Sequence, residues 1–97
     1  MDINRALKMA VNTGKVLFGA KLAVKAAKSN DVKLYIRASN FPEEEIGTFE
    51  EFDIPTYHYT GNNYELGAVC GKPFSISILS VIEPGESDIM DLVKDQE

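Results

Sequence analysis

The sequence predicts an α/β protein, a three-layer α/β/α sandwich whose helices cover both faces of a four-stranded mixed sheet. Helix and strand patterns alternate along the chain in the order αβαβαβαβα, which is typical of helices packed on one central sheet. The chain has 97 residues, 44% of them apolar, a size that suits one compact core and leaves little length for a second. We therefore expect residues 1–97 to form a single domain.

Two helix patterns and two strand patterns make up the first part of the chain. Between Asp2 and Gly14 the apolar residues recur every three or four positions, which predicts the first helix. Asp2 can cap this helix and Gly14 can end it. The run KVLF at 15–18 predicts a short strand, and small apolar residues at helical spacing predict the next helix over 20–28. VKLYIRA at 32–38 alternates apolar with polar or aromatic residues, which indicates a central strand with one covered and one less covered face.

Shorter elements follow. A helix near 42–52 begins at a proline and carries three glutamates in its first turn, where they complement the helix dipole. IPTYHY at 54–59 is rich in residues that favour strands and too brief for a helix. Asn62 and Glu65 have the spacing of a capping box for the next helix, which Gly71 ends.

The chain closes with one more strand and one more helix. FSISILSVI at 74–82 is a long run rich in β-branched residues, and this predicts the last strand. The turn sequence EPGES leads into a short helix, DIMDLV, at 88–93.

Charge is distributed unevenly along the chain. Residues 1–37 contain eight Lys and Arg against two acidic residues, a balance of +6. Residues 38–97 contain two lysines against thirteen acidic residues, a balance of −11, and the two parts give the total of −5. Such asymmetry favours one face for a polyanion and another kept soluble by acid, although two ordinary solvated helix faces would produce it as well.

The residues needed for catalysis are few. Cys70 lies on the apolar side of its helix, where a buried structural thiol is expected, and His58 alternates with tyrosines in a strand. Nucleotide-binding glycine motifs are absent, and the glutamates at 43–45 suit a first helical turn better than a metal site. We predict no enzyme activity, no catalytic residue, no metal site and no cofactor.

The sequence also bears on the compartment. With a single cysteine the chain forms no internal disulfide, which fits a reducing compartment. No apolar run reaches about 18 residues, and the start lacks the order of a signal peptide. We expect a cytoplasmic protein without a membrane partner.

Binding is better supported than catalysis, because three junctions between predicted strands and helices carry groups suited to RNA. Glycine permits close backbone approach, lysine neutralises phosphate, asparagine can read a base edge and phenylalanine can stack on an unpaired base. These groups are Gly19 and Lys21 in the first junction, Ser39 and Asn40 in the second, and Gly71, Lys72 and Phe74 in the third. In an alternating α/β sheet such junctions gather along one edge.

Four stretches also resemble a known family. TGKVLFGAK at 13–21, RASN at 37–40, GNNYELGAVCGKPF at 61–74 and SVIEPGESDI at 80–89 are together similar to large-subunit ribosomal protein 30e of archaea and eukaryotes. The resemblance covers nearly the whole chain, and the combination of ELG, GKPF and EPGESDI is specific.

The resemblance implies a fold, a function and a set of contacts. The family belongs to the superfamily of ribosomal protein 7Ae, an α/β/α sandwich that binds kink-turn RNA. The chain would accordingly be a structural part of the large ribosomal subunit in the cytoplasm, bound to ribosomal RNA and other ribosomal components, and a monomer when free. Its RNA surface would consist of the same three junctions, with the contact residues Gly19, Ala20, Lys21, Asn40, Gly71, Lys72 and Phe74.

The resemblance is weakest at residues 41–53. Family members usually have a longer helix there, and the acidic FPEEEIGTFEEFD stands where their residues are often basic. The resemblance therefore gives no expectation, for or against, of RNA contact by that helix. An alternative function is an acidic protein-interaction adaptor on the same superfamily fold, with the acidic part of the chain as its partner face.

Overall fold

A mixed sheet with helices on both faces organises the chain. The computed structural model describes residues 2–29, 31–42 and 52–91. In these ranges the strands are β1 (Lys15–Phe18), β2 (Leu34–Arg37), β3 (Thr56–His58) and β4 (Ile78–Glu83), and the helices are α1 (Ile3–Thr13), α2 (Ala20–Lys28) and α3 (Asn63–Val69). The strand order is β1-β4-β2-β3. β4 is antiparallel to both of its neighbours, whereas β2 and β3 are parallel, so the predicted mixed four-stranded sheet is confirmed among the described residues.

The predicted helix caps are present. The Asp2 carboxylate accepts hydrogen bonds from the backbone N–H groups of Asn4 and Arg5, at 3.1 and 3.3 Å, which satisfies two of the unpaired donors at the start of α1. At the start of α3, the Glu65 N–H donates to the Asn62 side chain at 3.0 Å, and the Asn62 N–H donates back to the Glu65 carboxylate at 3.3 Å. These local bonds set where each helix begins.

The two faces of the sheet carry two separate cores. On one face, Leu34 and Ile36 of β2 pack with residues of α1 and α3 in the larger hydrophobic cluster. On the other face, Tyr35 packs with Ala23 and Ala27 of α2. Successive side chains of β2 therefore point alternately into the two cores, which is the arrangement of a three-layer sandwich.

Tyr35 corrects the prediction that its face of the strand is less covered. The side chain is fully buried, and its hydroxyl donates a hydrogen bond to the Ala23 carbonyl oxygen at 2.8 Å. Burial raises the pKa of Tyr35 to about 12. Because the hydroxyl has a hydrogen-bond partner on the backbone of α2, the ring can be buried completely. Tyr35 is therefore a core residue, although the sequence pattern places it on the less covered face.

Strand bounds differ from the sequence prediction at the start of β4, which begins at Ile78 and not at residue 74. β1 ends at Phe18, opposite Leu79, and β2 ends at Arg37, opposite Ile78. Residues 74–77 therefore lie beyond the ends of both neighbouring strands, and a β-rich sequence alone cannot extend a ladder without partners.

Two predicted helices include residues that are not described. Of the helix predicted near 42–52, residues 43–51 lie outside the described ranges. The helix predicted at 88–93 is described only as far as Asp91, whose N–H donates to the Asp88 carbonyl oxygen at 3.0 Å. Ile89, in the turn between them, is fully buried against the α1 and α3 side of the sheet.

Close packing at Gly67 positions the segment that leads into β4. Gly67 is buried in the middle of α3, and a Cβ atom built on it would overlap the carbonyl oxygen of Phe74. The contact lets the backbone of the third junction lie directly on the helix. Glycine is needed here for space, since its backbone conformation is helical.

Substitution of Gly67 should separate helix propensity from packing. Gly67→Ala would stabilise an open helix by about 1 kcal/mol, but the overlap with Phe74 reverses the sign, and we expect a loss of about 2–3 kcal/mol in the free energy of unfolding. Urea unfolding measures the change. The control is Ala68→Gly at the neighbouring exposed position, which should cost about 1 kcal/mol by propensity alone. A Gly67→Ala variant more stable than the natural chain would contradict the packing argument.

Candidate nucleic-acid interface

Strand directions bring the three predicted junctions to one edge of the sheet. β1 and β2 are each antiparallel to β4, and β3 is parallel to β2, so β1, β2 and β3 all point the same way. Their carboxyl ends, together with the amino end of β4, therefore share an edge. The residues that follow β1 and β2 and those that precede β4 are the three junctions that the sequence singled out.

Phe18 connects the first junction to the third. Its ring meets the ring of Phe74 edge-on, with centroids 6.5 Å apart and planes at 80°. The Lys72 ammonium lies 5.1 Å from the centroid of the Phe18 ring, within range of a cation–π interaction. In addition, the Gly19 N–H donates to the Ile78 carbonyl oxygen at 3.0 Å, so the backbones of the two junctions are joined as well.

Asn40 and Asn63 connect the second junction to α3. The Asn40 amide donates to the Asn63 side-chain oxygen at 2.8 Å, and the Asn40 side-chain oxygen accepts from the Asn63 N–H at 2.9 Å. The Asn63 carbonyl oxygen in turn accepts from the Ile76 N–H at 2.9 Å. A chain of hydrogen bonds thus runs from the end of β2 through the start of α3 to the segment before β4.

The predicted contact residues are accessible at this edge. Phe74 is 53% exposed, and Lys21, Asn40 and Gly71 are exposed, while Gly19, Ala20 and Lys72 are partly buried. The Phe74 ring is therefore open to solvent at this edge.

Gly19 and Gly71 have a different role from Gly67. Their φ angles are +101° and +74°, a region that side chains disfavour, and a Cβ atom at either position would meet nothing within 4 Å. The backbone is therefore bare and open at both places. Another molecule can approach the backbone closely at both places, while the N–H groups of Gly19 and Gly71 themselves donate to the carbonyl oxygens of Ile78 and Ala68.

Positive side chains extend from the first junction along α2. Lys21, Lys25 and Lys28 are all exposed on this helix, and α2 has no acidic residue in its first turn. The N-terminal end of α2 also directs its unpaired N–H groups towards the same edge, which favours an anionic ligand.

Sequence reasoning missed two residues of this arrangement. The sequence pattern predicts Phe18 only as part of the strand KVLF, although an aromatic residue directly before the junction glycine can signal such a site. The pattern gives Asn63 no role beside the capping residue Asn62, because its bonds to Asn40 and Ile76 span parts of the chain that only the fold brings together.

Cys70 and His58, the residues considered for catalysis, lie in unsuitable surroundings. Cys70 is buried, and burial raises its pKa to about 11 although the charge of Lys72 acts in the opposite direction. His58 is exposed on β3, and its Nε2 lies 2.7 Å from the Arg37 guanidinium, which must donate to a neutral imidazole. Partial burial and the Arg37 charge both lower the pKa of His58. Among the described residues, no group of three or more His, Cys, Asp and Glu could hold a metal ion.

Comparison with known proteins assigns the family. Residues 1–91 match the family described as Ribosomal protein L7Ae/L30e/S12e/Gadd45. The chain belongs to this family. The resemblance inferred from its motifs is therefore confirmed, and membership of a ribosomal-protein family agrees with the prediction that the chain is not an enzyme.

Individual relatives are similar over almost their whole length. The chain is 43% identical to a protein of Methanocaldococcus jannaschii named large ribosomal subunit protein eL30, over 100% of this chain and 92% of the relative. It is also 43% identical to the protein of that name from Saccharolobus solfataricus, over 93% of this chain and 87% of the relative. A solved structure of a protein with unknown function from Bacillus halodurans C matches with a TM-score of 0.78 and 23% identity over 97% of each chain, which shows the fold alone.

In the described part of the chain, no helix has the length and apolar character needed to cross a membrane. This finding concerns residues 2–29, 31–42 and 52–91.

The Arg37–His58 contact predicts a depressed histidine pKa. His58 is the one histidine in the sequence, so its ring signals in a proton NMR titration need no assignment. We expect a pKa below the ordinary 6.5, because partial burial disfavours the charged ring and because protonation would place a second positive charge beside Arg37. Arg37→Gln removes that charge and should raise the pKa, whereas Lys33→Gln on the same segment should leave it in place. An unchanged value in Arg37→Gln would show that the guanidinium is not responsible.

Proposed function

We propose that the chain is a structural component of the large ribosomal subunit and binds a kink-turn in ribosomal RNA through the three junctions. A kink-turn is an RNA duplex bent sharply at a loop of unpaired nucleotides. The observation that carries the proposal is the convergence of the junctions at one sheet edge, joined by Phe18 and by the Asn40–Asn63 pair. The family assignment and the relatives named large ribosomal subunit protein eL30 support it.

Phosphates would bind at the glycines and lysines of the interface. Gly19 and Gly71 leave the backbone open, and Ala20 begins α2, whose unpaired N–H groups can donate hydrogen bonds to an anion. Lys21 is exposed beside them and free to follow a phosphate. Such contacts set affinity and its dependence on salt without reading sequence.

Bases would bind at Phe74 and Asn40. The exposed ring of Phe74 offers a face for an unpaired base, and its edge-on contact with Phe18 holds the ring in place. Asn40 uses one amide hydrogen and one lone pair of its oxygen on Asn63, which leaves a second donor and a second acceptor for a base edge. The side chain is therefore oriented before RNA arrives.

The remaining partners follow from the same assignment. The protein would act in the cytoplasm as part of the ribosome, in contact with other ribosomal components, and would be a monomer when free. The acidic balance of residues 38–97 would keep the rest of the surface away from RNA phosphates.

The isolated chain should bind a kink-turn RNA in preference to a regular duplex. With about three or four phosphates neutralised, log affinity should fall with log salt at a slope of about −2 to −4. Fluorescence anisotropy at several salt concentrations measures both quantities, with a duplex of matched length as the control. Equal affinity for the two RNAs, or a slope near zero, would contradict the proposal and favour the alternative function of an acidic protein-interaction adaptor.

Two substitutions should separate phosphate binding from base reading. Lys21→Ala should weaken binding to every RNA and reduce the salt slope by about one unit, whereas Asn40→Ala should mainly reduce the preference for the kink-turn. Lys28→Ala, at the far end of α2, is the matched control, because about seven residues of helix place it roughly 10 Å further from the junction.

Asn40→Ala also removes two hydrogen bonds to Asn63, so its free energy of unfolding is measured in parallel. Binding is compared at temperatures where both proteins are folded. Proportional loss of specific and nonspecific binding in both variants would show that the two roles are assigned wrongly.

A further inference from the structure

Arg37 and His58 lie together at the edge of the sheet where the three junctions meet. Arg37 is the last residue of β2 and His58 is the last residue of β3, and the two are opposite each other in the parallel pairing of these strands. The Arg37 Nη2 group donates to His58 Nε2 at 2.7 Å. Neither the sequence motifs nor the proposed RNA contacts give this pair a role.

Both side chains lie on the face of the sheet that α2 covers. Side chains alternate along a strand, and Tyr35, two residues before Arg37, packs against α2. Ile78 of β4 is opposite Arg37, and its carbonyl oxygen accepts from the Gly19 N–H. Arg37 therefore lies two strand spacings, roughly 10 Å, from the end of β1, where the proposed phosphate contacts begin.

The Arg37 guanidinium keeps most of its donors for another partner. Of its five N–H donors, the bond to His58 uses one on Nη2, which leaves those on Nε and Nη1. Within residues 2–29, 31–42 and 52–91, the side-chain hydrogen bonds of Arg37 all go to His58, and no carboxylate pairs with it. A planar fork of donors matches two oxygens of a phosphate.

His58 orients the guanidinium, and its protonation depends on what the guanidinium binds. The imidazole is neutral while its Nε2 accepts from Arg37. On the same face, α2 contributes the exposed residues Lys21, Lys25 and Lys28. The charge that acts on His58 is that of Arg37, and together with partial burial it lowers the pKa. A phosphate bound to Arg37 would offset that charge and stabilise the protonated ring.

We propose that the Arg37–His58 pair is a phosphate site of the RNA surface, in which Arg37 binds a backbone phosphate and His58 takes up a proton from solvent as that phosphate binds. The inference rests on the proposed function and extends its phosphate contacts across the sheet edge, from the end of β1 to the ends of β2 and β3. Protonated His58 adds a second charged donor to the same phosphate. Affinity should therefore rise as pH falls through the interval between the His58 pKa in the complex and its lower pKa in the free chain.

Charge-removing substitutions at the two ends of β2 test the phosphate contact. Arg37→Gln should weaken binding to a kink-turn RNA about five- to tenfold and reduce the salt slope by about one unit. Lys33→Gln is the matched control, because it removes the same charge from an exposed position roughly 13 Å away at the opposite edge of the sheet, and it should change neither quantity. Arg37→Lys keeps the charge without the fork, so it should retain the slope and lose part of the affinity. Urea unfolding shows that each variant is folded under the binding conditions.

Proton uptake is tested at His58. The ring signals in a proton NMR titration give its pKa in the free chain and in the RNA complex, and we expect the higher value in the complex. The natural chain should bind the RNA more tightly at about pH 6 than at about pH 8. His58→Gln offers an amide oxygen to Arg37 and does not titrate, so it should match the natural chain at about pH 8 and lose the pH dependence.

Inorganic phosphate distinguishes RNA from a free anion as the source of the phosphate group. Added alone at the concentration of the RNA phosphates, it should leave the His58 signals in place, because a single phosphate lacks the neighbouring contacts that hold it at the edge. Saturation of the signals by inorganic phosphate at that concentration would indicate a site for a free anion and would overturn the proposal.

Failure of this inference can be told apart from failure of the proposed function. If the natural chain prefers the kink-turn but Arg37→Gln binds it as Lys33→Gln does, Arg37 contacts no phosphate, so this inference is wrong and the proposed function stands. A pH dependence that persists in His58→Gln, or a His58 pKa that RNA leaves unchanged, also contradicts this inference alone. If the natural chain shows no preference for the kink-turn, both proposals fail.

Discussion

The reversed direction of β4 is the constraint on which the rest of the structure depends. β4 lies between β1 and β2 and pairs with each in antiparallel fashion. In the described sheet it is the strand partner of the edge strand β1 and one of the two partners of β2. Ser80 illustrates its central place, because it is opposite Leu17 on one side and Tyr35 on the other and is fully buried. A β4 parallel to its neighbours would deliver its leading segment to the opposite edge, away from Gly19 and Asn40. The candidate interface is assembled at one edge because β4 runs antiparallel to its two neighbours.

Local chemistry explains which parts of the fold were readable from the sequence. Asp2, the Asn62–Glu65 capping box and the terminal glycines act within a few residues of chain, and the helix bounds they predicted are those observed. Strand bounds were less accurate because a strand ends where its partners end. The sequence of residues 74–77 favours a strand as much as that of 78–82, but Phe18 and Arg37 are the last residues available to pair. The prediction of a less covered face at Tyr35 is wrong for a related reason, since the residues that bury this side chain belong to α2, a separate element.

The candidate interface was predictable in its parts and not in its connections. Residue types at the three junctions, and their resemblance to ribosomal protein 30e, singled out the lysines, the glycines, Asn40 and Phe74. The contacts that join these parts involve Phe18 and Asn63, whose roles depend on distances across the fold that no spacing in the sequence expresses. Side chains that hold a site together are harder to recognise than those that touch a ligand, because their chemistry is not distinctive.

The pairing of β1 with β4 also has a consequence for synthesis of the protein. Phe18 lies opposite Leu79, and the Glu86 N–H donates to the Thr13 hydroxyl at 2.9 Å. Residues near the start of the sequence therefore obtain their partners from residues more than 60 positions later. Contacts this distant in sequence form slowly, because a long stretch of chain must be closed before they are made. On the ribosome, the chain emerges from its amino end, and the lysines of α2 are exposed well before β4 exists. A nascent chain can therefore attract a polyanion by charge but cannot present the assembled edge until β4 has been made.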